Sequence, residues 1–146
     1  EILPWVSPDI PTGILGDPTR IRQTLTNIVS NAAKHTTSGF IRIHCQVAPP
    51  HVWQQEDDSS TMLLFTVEDS GLGIDAISLE YIFEPFGQAL SNNSLDRPST
   101  GLGLAIARTL TEAMGGKLWV ESEGIGKGSR FYFTVKCVVA REKEVI

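Results

Sequence analysis

The sequence holds no apolar run approaching the roughly 20 residues that a membrane-spanning helix needs, so no direct membrane contact is expected of it. Basic charge is also in short supply. Twelve Lys and Arg stand against 17 Asp and Glu, for a net charge of −5. Nucleic-acid binding calls for a basic face, so no nucleic-acid partner is expected, although local basic spots can still hold phosphates. Cysteine is scarce: Cys45 and Cys137 each sit in an apolar, strand-like stretch. They read as small buried hydrophobes of a reducing compartment rather than as a disulfide. The three histidines are scattered without ligand spacing. The opening residues do not read as a secretory signal, and a cytoplasmic location is expected, whether or not the parent protein is membrane-anchored. No Gly-Lys-Ser/Thr sequence occurs, which excludes a P-loop. No Gly-x-Gly-x-x-Gly opens a βαβ unit, which argues against a dinucleotide fold. Internal repeats and low-complexity tracts are missing as well.

What is present fits one domain of 146 residues with an ordinary 41% hydrophobic content. The first residue is not Met, and 141–146 is a charged tail. Both predict a single domain over 1–140, with a linker or the start of another element after it, taken from a longer protein. Residues 1–16 hold proline-broken apolar pieces that read as short strands or extended loop. Asp17-Pro18 is a helix start, with Asp as cap and Pro at the first helical position. The period predicts a helix from 18 to about 35. Ile21, Leu25, Ile28, Val29 and Ala32 share one face of it. Gln23, Asn27, Asn31 and Lys34 form a polar ladder on the other. Two readings of that ladder stand. One is a solvated face carrying two mediocre helix formers. The other is a ligand-facing row, with amide oxygens for a hard cation and an ammonium for phosphate.

Residues 40–47 alternate as a half-buried strand. Residues 48–61 form a long polar hairpin loop. The apolar strand 62–67 delivers Glu68 and Asp69 to its end. Asp75 is placed to cap a short helix over 76–81, and 82–86 is an aromatic knot suited to packing. Residues 87–100 are nearly free of apolar side chains and read as a mobile loop. A helix over 101–114 is ended by Gly115-Gly116. A strand over 117–121, a tight turn over 124–128 and a long strand over 131–139 complete the chain. The expected fold class is α+β: helices on one face of a mixed, mostly antiparallel sheet.

Two glycine stretches carry candidate chemistry. Asp69 ends a strand, and Gly71 and Gly73 let the backbone pass close to a flat ligand. A carboxylate there can accept a hydrogen bond from an exocyclic amine. Gly101 and Gly103 open a helix, whose free N–H groups and positive end favour phosphate. Each pattern alone describes many ordinary turns.

Together they are far more specific. Asn27-x-x-x-Asn31-Ala32-x-Lys34, Asp69-x-Gly71-x-Gly73, Phe83-x-x-Phe86, Gly101-x-Gly103-Leu104 and Gly126-x-Gly128-Ser129-x-Phe131 occur in this order. The series resembles the catalytic and ATP-binding domain of sensor histidine kinases, in the GHKL superfamily, over about residues 17–135. The third box has a faint likeness to hybrid kinases. The resemblance implies a Bergerat fold that binds ATP with Mg²⁺. It assigns Mg²⁺ coordination to Asn31, support of the phosphate side to Asn27 and a reach to the phosphates to Lys34, the three forming the catalytic set. Asp69 would accept the adenine amino group, with Gly71 and Gly73 lining the base and Ser129 beside it, where the family often has Thr. Residues 87–100 would be the ATP lid. Thr100, Gly101, Leu102, Gly103 and Leu104 would cradle the phosphates, and Ile74 and Phe86 complete the cofactor-binding set. His35 stands where the family commonly has Phe or Tyr beside the base, and an imidazole can still stack. Arg97 would meet the γ-phosphate. Ser99 departs from a glycine-richer lid end and implies a stiffer hinge. The 48–61 loop looks like an insertion.

No phosphoacceptor segment is present, since His35, His44 and His51 lack its context. The acceptor histidine is therefore expected in the parent's own dimerisation and phosphotransfer domain, the parent being a homodimer, with a response-regulator receiver domain as onward partner. Two alternatives remain at this point: a GHKL-type ATPase and a degenerate nucleotide-binding regulatory or interaction module. The resembling ATPases carry a Glu one helical turn before the metal-binding Asn. Here that place is Asn27, which has no basic group to take a proton from water.

Overall fold

The computed structural model describes residues 1–11, 13–52, 59–85 and 102–139. Along them run β1 (Ile2–Val6), β2 (Ile14–Leu15), α1 (Pro18–Lys34), β3 (Ile41–Val47), β4 (Ser60–Asp69), α2 (Ala76–Leu79), α3 (Gly103–Ala113), β5 (Leu118–Glu121) and β6 (Ser129–Val139). The strands make one sheet in the order β1-β3-β4-β6-β2, with β5 also on β6. β1 runs parallel to β3, and every other described pairing is antiparallel. β4 occupies one edge of β6 over nearly its whole length, so β5 and β2 share the other.

Alternation decides which face meets the helices. Phe131, Phe133, Val135 and Cys137 of β6 are buried beside Leu63 and Val67 of β4 and Ile41 and Cys45 of β3. α1 adds Ile28 and Ala32 to this core, and α3 adds Leu104 and Ala107. α1 lies over β3 and β4, α3 over β5 and β6, and the two helices pack on each other. This is the α+β layer architecture that the element pattern predicts.

The near-continuous apolar run of β4 has a physical reason, because both of its faces are covered at that point. Leu63 and Val67 enter the main core. Met62 and Leu64 join Ala48, Val52, Trp119 and Tyr132 in a second, smaller cluster on the opposite face.

Helix α1 begins as its sequence dictates. The Arg20 N–H donates to Asp17 Oδ1 at 3.0 Å, and Pro18 occupies the first turn. Asp75 caps α2 through the Ser78 N–H at 2.7 Å. That helix ends at Leu79, two residues before the expected end. Tyr81 and Glu84 bond back three residues, to Ser78 and Tyr81, so the chain tightens into turns ahead of Pro85. β4 and β6 both extend beyond the expected 62–67 and 131–139, and they meet at an Asp69–Ser129 rung. Phe83 sits edge-on to Phe131, with centroids 6.3 Å apart, so the described part of the aromatic knot packs on the core.

Candidate functional site

The rung that ends β4 forms the centre of the site. Asp69 lies two residues past Val67 and so faces the helix layer, where it is 4% exposed. Ser129 Oγ donates to its Oδ2 at 2.6 Å, and the Gly71 N–H donates to its Oδ1 at 2.9 Å. Each oxygen keeps acceptor capacity for one more donor. The carboxylate is thus held on both sides and still able to receive a ligand amine.

The end of α1 is pressed against this loop. The Leu72 N–H donates to the carbonyl of His35 at 3.0 Å. A Cβ on Gly71 would stand 2.1 Å from that same carbonyl oxygen, so no other residue allows the approach. Thr36 Oγ1 is buried in the same crevice and has no hydrogen-bond partner among the described residues. Gly73 (φ 74°) and Gly128 (φ 71°) adopt left-handed backbone, and each also passes too close to a neighbouring carbonyl for a Cβ.

The other expected residues take varied positions. On α1, Asn31 is buried at 8% exposure, Asn27 and His35 are half-buried, and Lys34 is exposed. Ile74 is partly buried against the core. Leu102 precedes α3 without capping it through a side chain, and α3 has no acidic residue in its first turn. Its leading N–H groups therefore face no carboxylate from their own helix. A Cβ on Gly103 would meet nothing within 4 Å among the described residues. Leu104 is core, at 2% exposure, and has only its backbone to present. Phe86, Arg97, Ser99, Thr100, Gly101 and the 87–100 lid lie outside the described residues.

Residues 16–138 match the HATPase_c family, described as histidine kinase-, DNA gyrase B-, and HSP90-like ATPase. This chain belongs to that family. Among curated relatives it is 39% identical over 133 residues to hybrid signal transduction histidine kinase B of Dictyostelium discoideum, spanning 91% of this chain and 6% of that protein. It is 39% identical over 144 residues to the sensor protein GacS of Pseudomonas syringae pv. syringae, spanning 97% of this chain and 15% of the relative. Both relatives are therefore far longer than this chain. A solved structure of full-length ShkA in complex with AMPPNP matches with a TM-score of 0.76 and 34% identity, over 96% of this chain and 26% of that one. The mycobacterial sensor histidine kinase MprB shares the fold, with a TM-score of 0.67 at 23% identity, over 96% of this chain and 83% of that one.

In this HATPase_c domain the end of the sheet that carries the Asp69–Ser129 rung also holds a charged cleft. A cavity of about 540 Å³ there is lined by charged side chains, among them Arg42, Glu68, Glu121 and Arg130. Glu68 bridges Arg42 at 3.0 Å and Arg130 at 3.3 Å. The Tyr132 hydroxyl, and after it Glu68, push the Arg130 guanidinium above its ordinary range. Asp69, Gly128 and Ser129 also line this cavity, so it reaches the rung at the centre of the site, whereas Asn31 and Lys34 do not line it. Sequence reasoning missed Ser122. Its hydroxyl joins Ile74, Gly124 and Gly128, and its only signal was a serine between a strand and a glycine turn.

Proposed function

We propose that this HATPase_c domain binds ATP with Mg²⁺ and is the catalytic domain of a two-component sensor histidine kinase. The buried Asp69 carboxylate, fixed by Ser129 and Gly71 beside the end of α1, carries the reading. Adenine's exocyclic amine is the donor that such an acceptor selects. The phosphates then extend towards the polar side of α1 and the start of α3, which has no side-chain cap among the described residues and where backbone N–H groups favour anions. Lys34, the basic residue in the last turn of α1, would follow them.

The donor set also fits Mg²⁺. Among the described residues no group of three His, Cys, Asp or Glu gathers as a metal cage. Mg²⁺ instead favours one or two protein oxygens plus substrate phosphates and water, and the amide of Asn31 supplies such an oxygen, with Asn27 one turn before it. When bound, Mg²⁺ neutralises charge developing on the phosphates.

The chain's own residues act by positioning. A histidine imidazole from the parent's dimerisation and phosphotransfer domain attacks the γ-phosphorus. The bond from that phosphorus to the β–γ bridging oxygen breaks, and ADP leaves with the electron pair. The phosphoryl group then passes to a response-regulator receiver domain. In this reading the parent is a homodimer and this part of it is cytoplasmic.

Calorimetric titration with AMPPNP, with and without Mg²⁺, tests the reading. The wild-type chain should bind in an Mg²⁺-dependent way. Asp69→Asn turns one acceptor oxygen into a donor and should weaken binding at least about tenfold, the scale of one charged hydrogen bond. A wild-type chain that binds no AMPPNP would overturn the proposal.

A further inference from the structure

Ser122 follows the last residue of β5 and belongs to neither glycine stretch. Its hydroxyl donates to the carbonyl of Gly128 at 2.8 Å. It accepts from the Ile74 N–H at 3.0 Å and from the Gly124 N–H at 3.3 Å. A hydroxyl has one proton and two lone pairs, so all of its capacity is spent. The partners fall on two separate segments. Ile74 closes the loop that carries Gly71, while Gly128 immediately precedes Ser129. Gly71 and Ser129 are the two groups that hold the Asp69 carboxylate.

Those two segments also touch without side chains. The Gly126 N–H donates to the Leu72 carbonyl at 2.6 Å. Gly73 abuts the Gly124 carbonyl, and Gly128 abuts that of Asp69. Ser122 supplies the side-chain clasp at this junction. Without it, one carbonyl and two N–H groups lose their partner together.

We propose that Ser122 is a positioning residue for base recognition. It does not touch the nucleotide. It fixes the two donors of Asp69 relative to each other, and so fixes where the remaining lone pairs of that carboxylate point. Hydrogen bonds weaken steeply with angle, so a swing of either donor misaligns the acceptor that reads the amine. Selectivity suffers most. Guanine presents a carbonyl oxygen where adenine presents an amino group, and only a fixed carboxylate rejects it strongly. This inference rests on the reading of Asp69 as the adenine acceptor.

The test uses Ser122→Ala, Ser122→Cys and Ser122→Thr, with Asp69→Asn alongside. Affinities for AMPPNP and GMPPNP are measured by competition, and the thermal midpoint of each variant is recorded. Ser122→Ala and Ser122→Cys should lower the preference for AMPPNP over GMPPNP about tenfold, the equivalent of one well-aligned hydrogen bond. Ser122→Thr keeps the hydroxyl and should restore the preference, and the midpoints should not follow that order. The inference is overturned if Ala and Cys keep the wild-type preference, if both affinities fall together in step with the midpoint, or if Thr fails to restore it. If Asp69→Asn itself keeps the preference, the adenine reading fails instead. If Asp69→Asn loses it and the Ser122 variants do not, only the positioning role fails.

Discussion

At the scale of single residues, two glycines separate folding from binding. Gly128 has a φ of 71°, and a Cβ there would stand 2.2 Å from the Asp69 carbonyl oxygen. Gly128→Ala must shift backbone at the site itself and should cost more than about 1 kcal/mol, seen as a drop in melting temperature. Gly103 lies inside α3, and a Cβ there meets nothing among the described residues. Gly103→Ala should leave the fold intact or raise its stability by up to about 1 kcal/mol, since Ala is the better helix former. AMPPNP affinity should nevertheless fall if α3 cradles the phosphates as proposed, because the Cβ would enter their space. Unchanged affinity would remove α3 from the phosphate cradle. Cysteine chemistry supplies another check. Burial, and after it the neighbouring Cys137, pushes the Cys45 thiol up to about 11. An unfolded thiol ionises near about 8.5. Between those values the unfolded chain loses a proton that the folded chain keeps, so this contribution to stability is whole below the window and is lost as pH rises through it. At pH 8 the folded protein should resist alkylation at both cysteines until it unfolds, which mass spectrometry of labelled protein will show. Rapid labelling of folded protein would contradict the packing.

At the scale of elements, legibility in the sequence followed how local each cause was. Helix α1 was readable because its cap, its first-turn proline and its 3.6-residue period lie within one segment. Asp17→Ala should cost about 1 kcal/mol, the usual worth of such a cap, measurable by urea titration. The polar ladder was undecidable from that segment alone. In the fold its members separate: Gln23 and Lys34 are exposed, Asn27 is half-buried and Asn31 is buried. That gradient is not the pattern of a uniformly solvated face. It arises because the inner part of the ladder is covered by tertiary packing, which no helical period reports. β1 shows the same limit. Its apolar residues read as a broken strand, yet its parallel pairing with β3 depends on a partner about 40 residues away. Ser122 was the hardest to see. Three backbone partners define its role, and backbone groups have no signature in sequence.

At the scale of the whole molecule, the chain is a small part of its relatives, spanning 6% of one and 15% of another. A pocket that holds ATP without an acceptor histidine should bind far better than it turns over. In the proposed reading Asn27 occupies the place where a water-activating carboxylate would stand, and an amide takes no proton at neutral pH. Hydrolysis by the isolated chain should therefore be slow, well below the roughly 1 s⁻¹ at the low end of typical enzyme turnover. Incubation with γ-labelled ATP should leave no acid-labile phosphate on the chain, since His35, His44 and His51 lie on or beside elements of the fold rather than on a phosphotransfer helix. Adding the separately made dimerisation and phosphotransfer segment of the parent protein should produce acid-labile, base-stable phosphate on that segment. Asp69→Asn should suppress this transfer in proportion to its lost affinity, with recovery at high ATP. If Asn31 holds the metal as proposed, Asn31→Ala should suppress it even at saturating ATP, because a misplaced metal would spoil the transferring group rather than only the binding of the base. Recovery of both variants at high ATP would place the metal elsewhere. Fast hydrolysis by the chain alone would favour an ATPase over a phosphotransfer domain.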